Sequence, residues 1–134
     1  MVDTSVLVDF LKGTENPKTG LFETAIRRRL PFGIASYTFQ EALQGARTAQ
    51  EYDKLKDYLS TQRIYFLPET TEAHEKAARM FLDLRRQGIT PRSTIDILIA
   101  RIAIEHNLLL LHNDKDFDAM SEKCSELKIL RRMD

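Results

Sequence analysis

Four consecutive leucines at positions 108–111 limit the folds open to this chain more than any other stretch. Side chains alternate between the two faces of a strand, so a run that is apolar at every position needs cover on both sides. That is the situation of a strand buried inside a parallel sheet. Shorter apolar runs repeat the signal: Val2 with its neighbours, Phe32-Gly33-Ile34-Ala35, Ile64-Tyr65-Phe66-Leu67 halted by Pro68, and more weakly Lys128-Ile129-Leu130.

Between these runs the apolar residues change to helical spacing. Residues 18–29 carry Leu21, Phe22, Ala25 and Ile26 on one stripe, with Arg27, Arg28 and Arg29 in the last turn. Ser36 opens a helix expected to run to about Arg47, and Leu55, Tyr58 and Leu59 suit another. Thr70 or Thr71 caps the clearest one, which places Ala73, Ala77, Phe81 and Leu84 on one face and ends at Arg85, Arg86 and Gly88. Ile95, Leu98, Ile99 and Ile102 mark a strongly apolar helix that ends near His106-Asn107. Strands alternating with helices predict an α/β fold whose parallel sheet is covered on both faces. At 134 residues the chain is expected to form one domain, 1–134.

Acidic residues recur at the ends of these segments. Asp3 closes the first apolar run, Glu41 lies in Phe39-Gln40-Glu41-Ala42-Leu43, and Asp96 lies in the first turn of the apolar helix. Asp114, Asp116 and Asp118 follow the leucine run. Open α/β sheets bind ligands beyond the carboxyl ends of their strands, where the strand order reverses. Asp3 and Asp114 would meet there if the first and fourth strands are neighbours. Gathered carboxylates repel and lose hydration, and a hard divalent cation relieves both costs because it favours oxygen ligands. Each acid also has a simpler explanation. Asp3 can cap the following helix, Asp96 fits the capping box Ser93-Thr94-Ile95-Asp96, Glu41 can be a solvated helical residue, and the acidic turn can be an exposed loop.

Composition removes several function classes. Lys and Arg number 20 against 20 Asp and Glu, so binding of nucleic acid through a general positive charge is excluded. Cys124 is the only cysteine, which permits no internal disulfide and fits a reducing compartment. No apolar stretch reaches membrane-spanning length and no secretory leader pattern opens the chain, so a cytoplasmic protein is expected. The arginine runs 27–29 and 85–86 read as helix-end charges, and His74 and His106 take surface and helix-end roles. His112, the one histidine beside the acidic turn, could contact substrate, although a metal site built from oxygens has no need of it. A phospho-acceptor receiver domain would need an aspartate ending the third strand, where Phe66-Leu67-Pro68 stands. A haloacid-dehalogenase-type phosphatase would need an aspartate two positions after the first, where Ser5 stands.

Asp3-Thr4-Ser5-Val6-Leu7 resembles the opening of PIN-domain proteins, specifically the VapC toxins of type II toxin–antitoxin pairs. Glu41-Ala42-Leu43-Gln44-Gly45-Ala46, Thr94-Ile95-Asp96-Ile97-Leu98-Ile99-Ala100 and Leu110-Leu111-His112-Asn113-Asp114-Lys115-Asp116-Phe117 extend the likeness in order across essentially the whole chain. The resemblance implies a three-layer α/β/α sandwich with a central, mostly parallel sheet. It further implies a homodimer, an endoribonuclease dependent on Mg²⁺ or Mn²⁺, and inhibition by a small VapB-like antitoxin. Carried over by position, Asp3 and Asp96 are metal ligands, and Glu41 completes the site directly or through water. Asp114 is the first choice for the fourth acid and Asp116 the second. Thr4 or Ser5 would orient Asp3 or a bound water, and Arg92 could hold a flanking RNA phosphate or remain an ordinary solvated loop residue. His112 departs from the family, where a hydroxyl residue is common. The alternative within the family is a catalytically silent PIN domain that serves as a binding subunit of a DNA-bound regulatory complex with its partner.

Overall fold

A computed structural model describes residues 1–133 of the chain. Its sheet is built from very short pieces. Strand β1 (Gly33–Ala35) pairs in parallel with β2 (Arg63–Tyr65), Ile34 lying opposite Ile64. Val2 N–H donates to the Gly33 carbonyl and extends the sheet to the start of the chain. Parallel bridges then join Val2 to Leu111 and Leu110 to Ile129. The spatial order is therefore third, second, first, fourth and fifth segment, and it reverses between the first and the fourth. The first segment is anchored from its first residue, since the Met1 amine donates to the Leu109 carbonyl at 2.6 Å.

Each apolar pair along a strand splits between the two faces, as the pleat requires. Val2, Ile34 and Leu111 enter one core with Val6, Leu7, Phe22, Leu43 and Leu59. Met1, Ala35 and Leu110 enter the other with Leu84, Ile99, Ile102, Phe117 and Met120. The first core is covered by α1 (Thr4–Leu11), α2 (Pro17–Arg27), α3 (Ser36–Gln44) and α4 (Ala49–Ser60). The second is covered by α5 (Thr71–Arg86), α6 (Thr94–Glu105) and α7 (Lys115–Lys123). This is the three-layer α/β/α arrangement expected, with a parallel sheet.

Local chemistry sets the helix starts. Asp3, Asn16, Thr48, Thr70, Ser93 and Asp114 each accept a backbone N–H in the first turn of the helix that follows. At α6 the cap is the Ser93 hydroxyl on Ile95 N–H, with Asp96 in the first turn. Among the described residues no helix is long and apolar enough to cross a membrane.

Several expected boundaries move. The helix opened by Ser36 stops at Gln44, where Gly45 caps it, and not near Arg47. The third strand ends at Tyr65, leaving Phe66 62% exposed. The leucine run pairs only at Leu110 and Leu111, and Leu109 is 48% exposed. The backbone explains this last difference: Leu108 N–H closes the end of α6 on the Ala103 carbonyl, and only from Leu110 on do the N–H groups turn to the neighbouring segments, at Lys128 and Met1.

One glycine is required by close approach. A Cβ added at Gly33 would stand 2.7 Å from the Arg63 carbonyl oxygen and 2.5 Å from Tyr65 Cε2, across the β1–β2 pair. Backbone cannot yield as a side chain can, so Gly33→Ala should cost about 2 kcal/mol. A thermal melt followed by circular dichroism should show the midpoint falling by about 6–10 °C. An unchanged midpoint would mean the two strands do not approach this closely.

Candidate metal centre

The strand reversal puts the ends of the first and fourth segments side by side, and three helices start around that point. Asp3 lies at the end of the first segment and caps α1. The residue is buried, only 4% exposed. Oδ2 accepts both the Ser5 N–H at 3.1 Å and the Ser5 hydroxyl at 2.6 Å. The same Ser5 oxygen accepts the Asn113 N–H at 3.0 Å, so one hydroxyl ties the aspartate to the turn after the fourth segment. Burial pushes the Asp3 carboxyl above its usual range, the Ser5 donors pull it back, and the charge of Glu41 adds to the rise.

Glu41 projects from α3 toward α1. The Thr4 hydroxyl donates to Glu41 Oε1 at 2.8 Å and lies 3.2 Å from the fully buried hydroxyl of Thr38. The sequence reading overlooked Thr38. Its signal was the spacing to Glu41, three residues on along the same helix, which places both side chains on one face.

Asp96 is the electrostatic centre of the group. It stands in the first turn of α6, half-buried. Burial and then the negative charges of Asp3, Asp114, Asp116 and Glu41 push its carboxyl up to about 6. One oxygen each from Asp96, Asp114 and Asp116 can be chosen so that all lie within 4.8 Å of one another. Both candidates for the fourth acid are thus present. Asp114 accepts the Asp116 N–H at 2.9 Å as the cap of α7, and Asp116 sits in that helix's first turn.

The acidic turn is therefore no open loop, because Asp114, Asp116 and Asp118 form the cap and first turn of a helix. Phe117 and Met120, both fully buried, fasten that helix to the core. His112 also needs correction. It is 1% exposed and its Nδ1 accepts the Asp114 N–H at 3.0 Å, which performs the turn-closing task of a hydroxyl and leaves the ring out of reach of a substrate. Burial lowers its pKa, so the neutral ring carries its proton on Nε2, 3.4 Å from Asp118 Oδ1. Arg92 is not a free loop cation: its Nε donates to Asp116 Oδ2 at 3.1 Å.

Asp96, Asp114 and Asp116 offer oxygen atoms alone, the donor set that suits Mg²⁺ or Mn²⁺ and not a softer ion. The elevated Asp96 carboxyl shows a concentration of negative charge that a cation relieves. The residues present therefore fit a hard divalent ion; Asp3 and Glu41 lie outside the three converging carboxylates and reach Asp96 through their charge.

A family model described as PIN domain matches residues 1–123. Two curated relatives are VapC ribonuclease Mb1587 of Mycobacterium bovis and Ribonuclease VapC11 of Mycobacterium tuberculosis. Each is 27% identical over 126 residues, which cover 90% of this chain and 90% of the relative.

Proposed function

This chain belongs to the PIN domain family, and we propose that it is an endoribonuclease dependent on Mg²⁺ or Mn²⁺, the toxin of a toxin–antitoxin pair. The observation that carries this reading is the convergence of Asp96, Asp114 and Asp116 from the starts of two helices, electrostatically coupled to Asp3 and Glu41. The VapC ribonucleases matched over nine-tenths of the chain support the same activity. The binding-only alternative has no observation in its favour, since every acid that catalysis would use lies in one field.

Asp96, Asp114 and Asp116 would hold the ion together with Asp3, and Glu41 would act directly or through water. When bound, the ion lowers the pKa of a water and balances charge on the phosphoryl oxygens. Ser5 fixes the Asp3 carboxylate by two hydrogen bonds, and Thr4 fixes Glu41 by one. These hydroxyls act as positioning groups for the acids, Ser5 for Asp3 and Thr4 for Glu41. Arg92, at the rim, is assigned to a flanking phosphate. A homodimer, a VapB-like antitoxin partner, a cytoplasmic setting and a single domain over 1–134 belong to the same proposal.

The test is direct. Purified chain free of any antitoxin should cleave RNA when Mg²⁺ or Mn²⁺ is added and stop when a chelator is added. Resolving products on denaturing gels reads the outcome. Intact RNA throughout a panel of transfer, ribosomal and messenger species with both ions would return the chain to the binding-only class.

A further inference from the structure

Arg92 lies in the turn between α5 and α6, facing the acids at the start of α7. Its Nε donates to Asp116 Oδ2 at 3.1 Å, and its Nη2 stands 3.6 Å from Asp114 Oδ1. These are two of the three carboxylates whose oxygens converge. We propose that Arg92 competes with the divalent cation for Asp114 and Asp116, so that binding of the ion and departure of the guanidinium are one event. The inference rests on the metal-centre reading above and adds a control element to it.

A cation coordinated by those oxygens would sit about 2.1 Å from them. A guanidinium still paired to the same two carboxylates would then face a doubly charged ion across a single carboxyl group, a repulsion that water weakens but does not remove. The two occupants exclude each other. The arginine side chain is 78% exposed, so its pairing is screened by water and it leaves easily. Once released, it is free for the flanking phosphate assigned to it above.

Removing the competitor should tighten the site. Exposed pairs of this kind bias an equilibrium by a factor of about two to five, and that is the expected gain in Mn²⁺ affinity for Arg92→Gln. Isothermal titration calorimetry in low salt without RNA reads it, after circular dichroism has shown the variant folded. Arg92→Lys, which keeps the charge and loses the planar fork, should fall between the two. Lys115 is an exposed cation in the first turn of α7, so Lys115→Gln removes equal charge from the same turn without breaking the pair and should change the affinity less. The competition is overturned if Arg92→Gln binds Mn²⁺ no more tightly than the native chain, or if Lys115→Gln tightens binding as much. Absence of Mn²⁺ binding by the native chain would instead remove the metal centre, and the competition with it.

Discussion

Asp96→Asn is expected to reduce RNA cleavage by about 100-fold or more while making the ion-free protein harder to melt. Both effects come from the partial burial of Asp96 among other negative charges. The Asp96 carboxyl, pushed up to about 6 by burial and four neighbouring acids, is ionised at neutral pH against that field. An aspartate raised in the folded state contributes stability below its unfolded pKa and loses that contribution as pH rises through the folded value. The native chain should therefore weaken between about pH 4 and pH 7 in chelator, and Asp96→Asn, which keeps only the raised carboxyl of Asp3, should weaken less. Because Asp96 is only half-buried, water screens much of the repulsion, leaving about 1–2 kcal/mol. Loss of a first-turn acid from α6 returns about 0.5 kcal/mol against it. The net gain near 1 kcal/mol should raise the melting temperature by about 3–5 °C at pH 7. Robust cleavage by the variant, or a lower melting temperature without any ion, would remove Asp96 from the centre of the site.

That trade between stability and activity also explains which parts of the site were legible in the sequence. Caps and apolar runs are local, so Asp3 at the end of the first segment and Ser93 ahead of Asp96 could be read from neighbouring residues. The reversal that joins Val2 to Leu111 was permitted by the parallel pattern and the recurring acids but not required by them, because strand order is set by contacts across the fold. The start of α7 was obscured because three aspartates in five positions look like a solvated turn. Its periodic signal, Phe117 and Met120, amounts to a single apolar pair. Contacts across the fold left no trace in spacing. Ser5 reaching Asn113, Thr4 reaching Glu41 and Arg92 reaching Asp116 span 108, 37 and 24 residues. Nor could His112 be placed, because a histidine in that turn is equally compatible with a solvent-facing ring and with the buried acceptor that it is.

Asp3→Asn should abolish the response of the fold to divalent cation while leaving the fold itself in place. Asparagine caps a helix as well as aspartate does, and its oxygen can still accept the Ser5 donors that now hold Asp3 Oδ2. What the substitution removes is a buried negative charge. An ion present at ten times its dissociation constant stabilises the native chain by about 1.4 kcal/mol, a rise of about 4–6 °C in melting temperature. The variant should show almost none of this, its dissociation constant having risen by about 100-fold, because a charge on a buried residue is screened far less than one at the surface. Differential scanning fluorimetry over a Mn²⁺ series, run beside the native chain, gives the comparison. The buried charge is the one feature of Asp3 that its capping role does not require, since a neutral amide caps equally well. Equal shifts in the two proteins would therefore assign the ion to Asp96, Asp114 and Asp116 alone and leave Asp3 as the cap of α1.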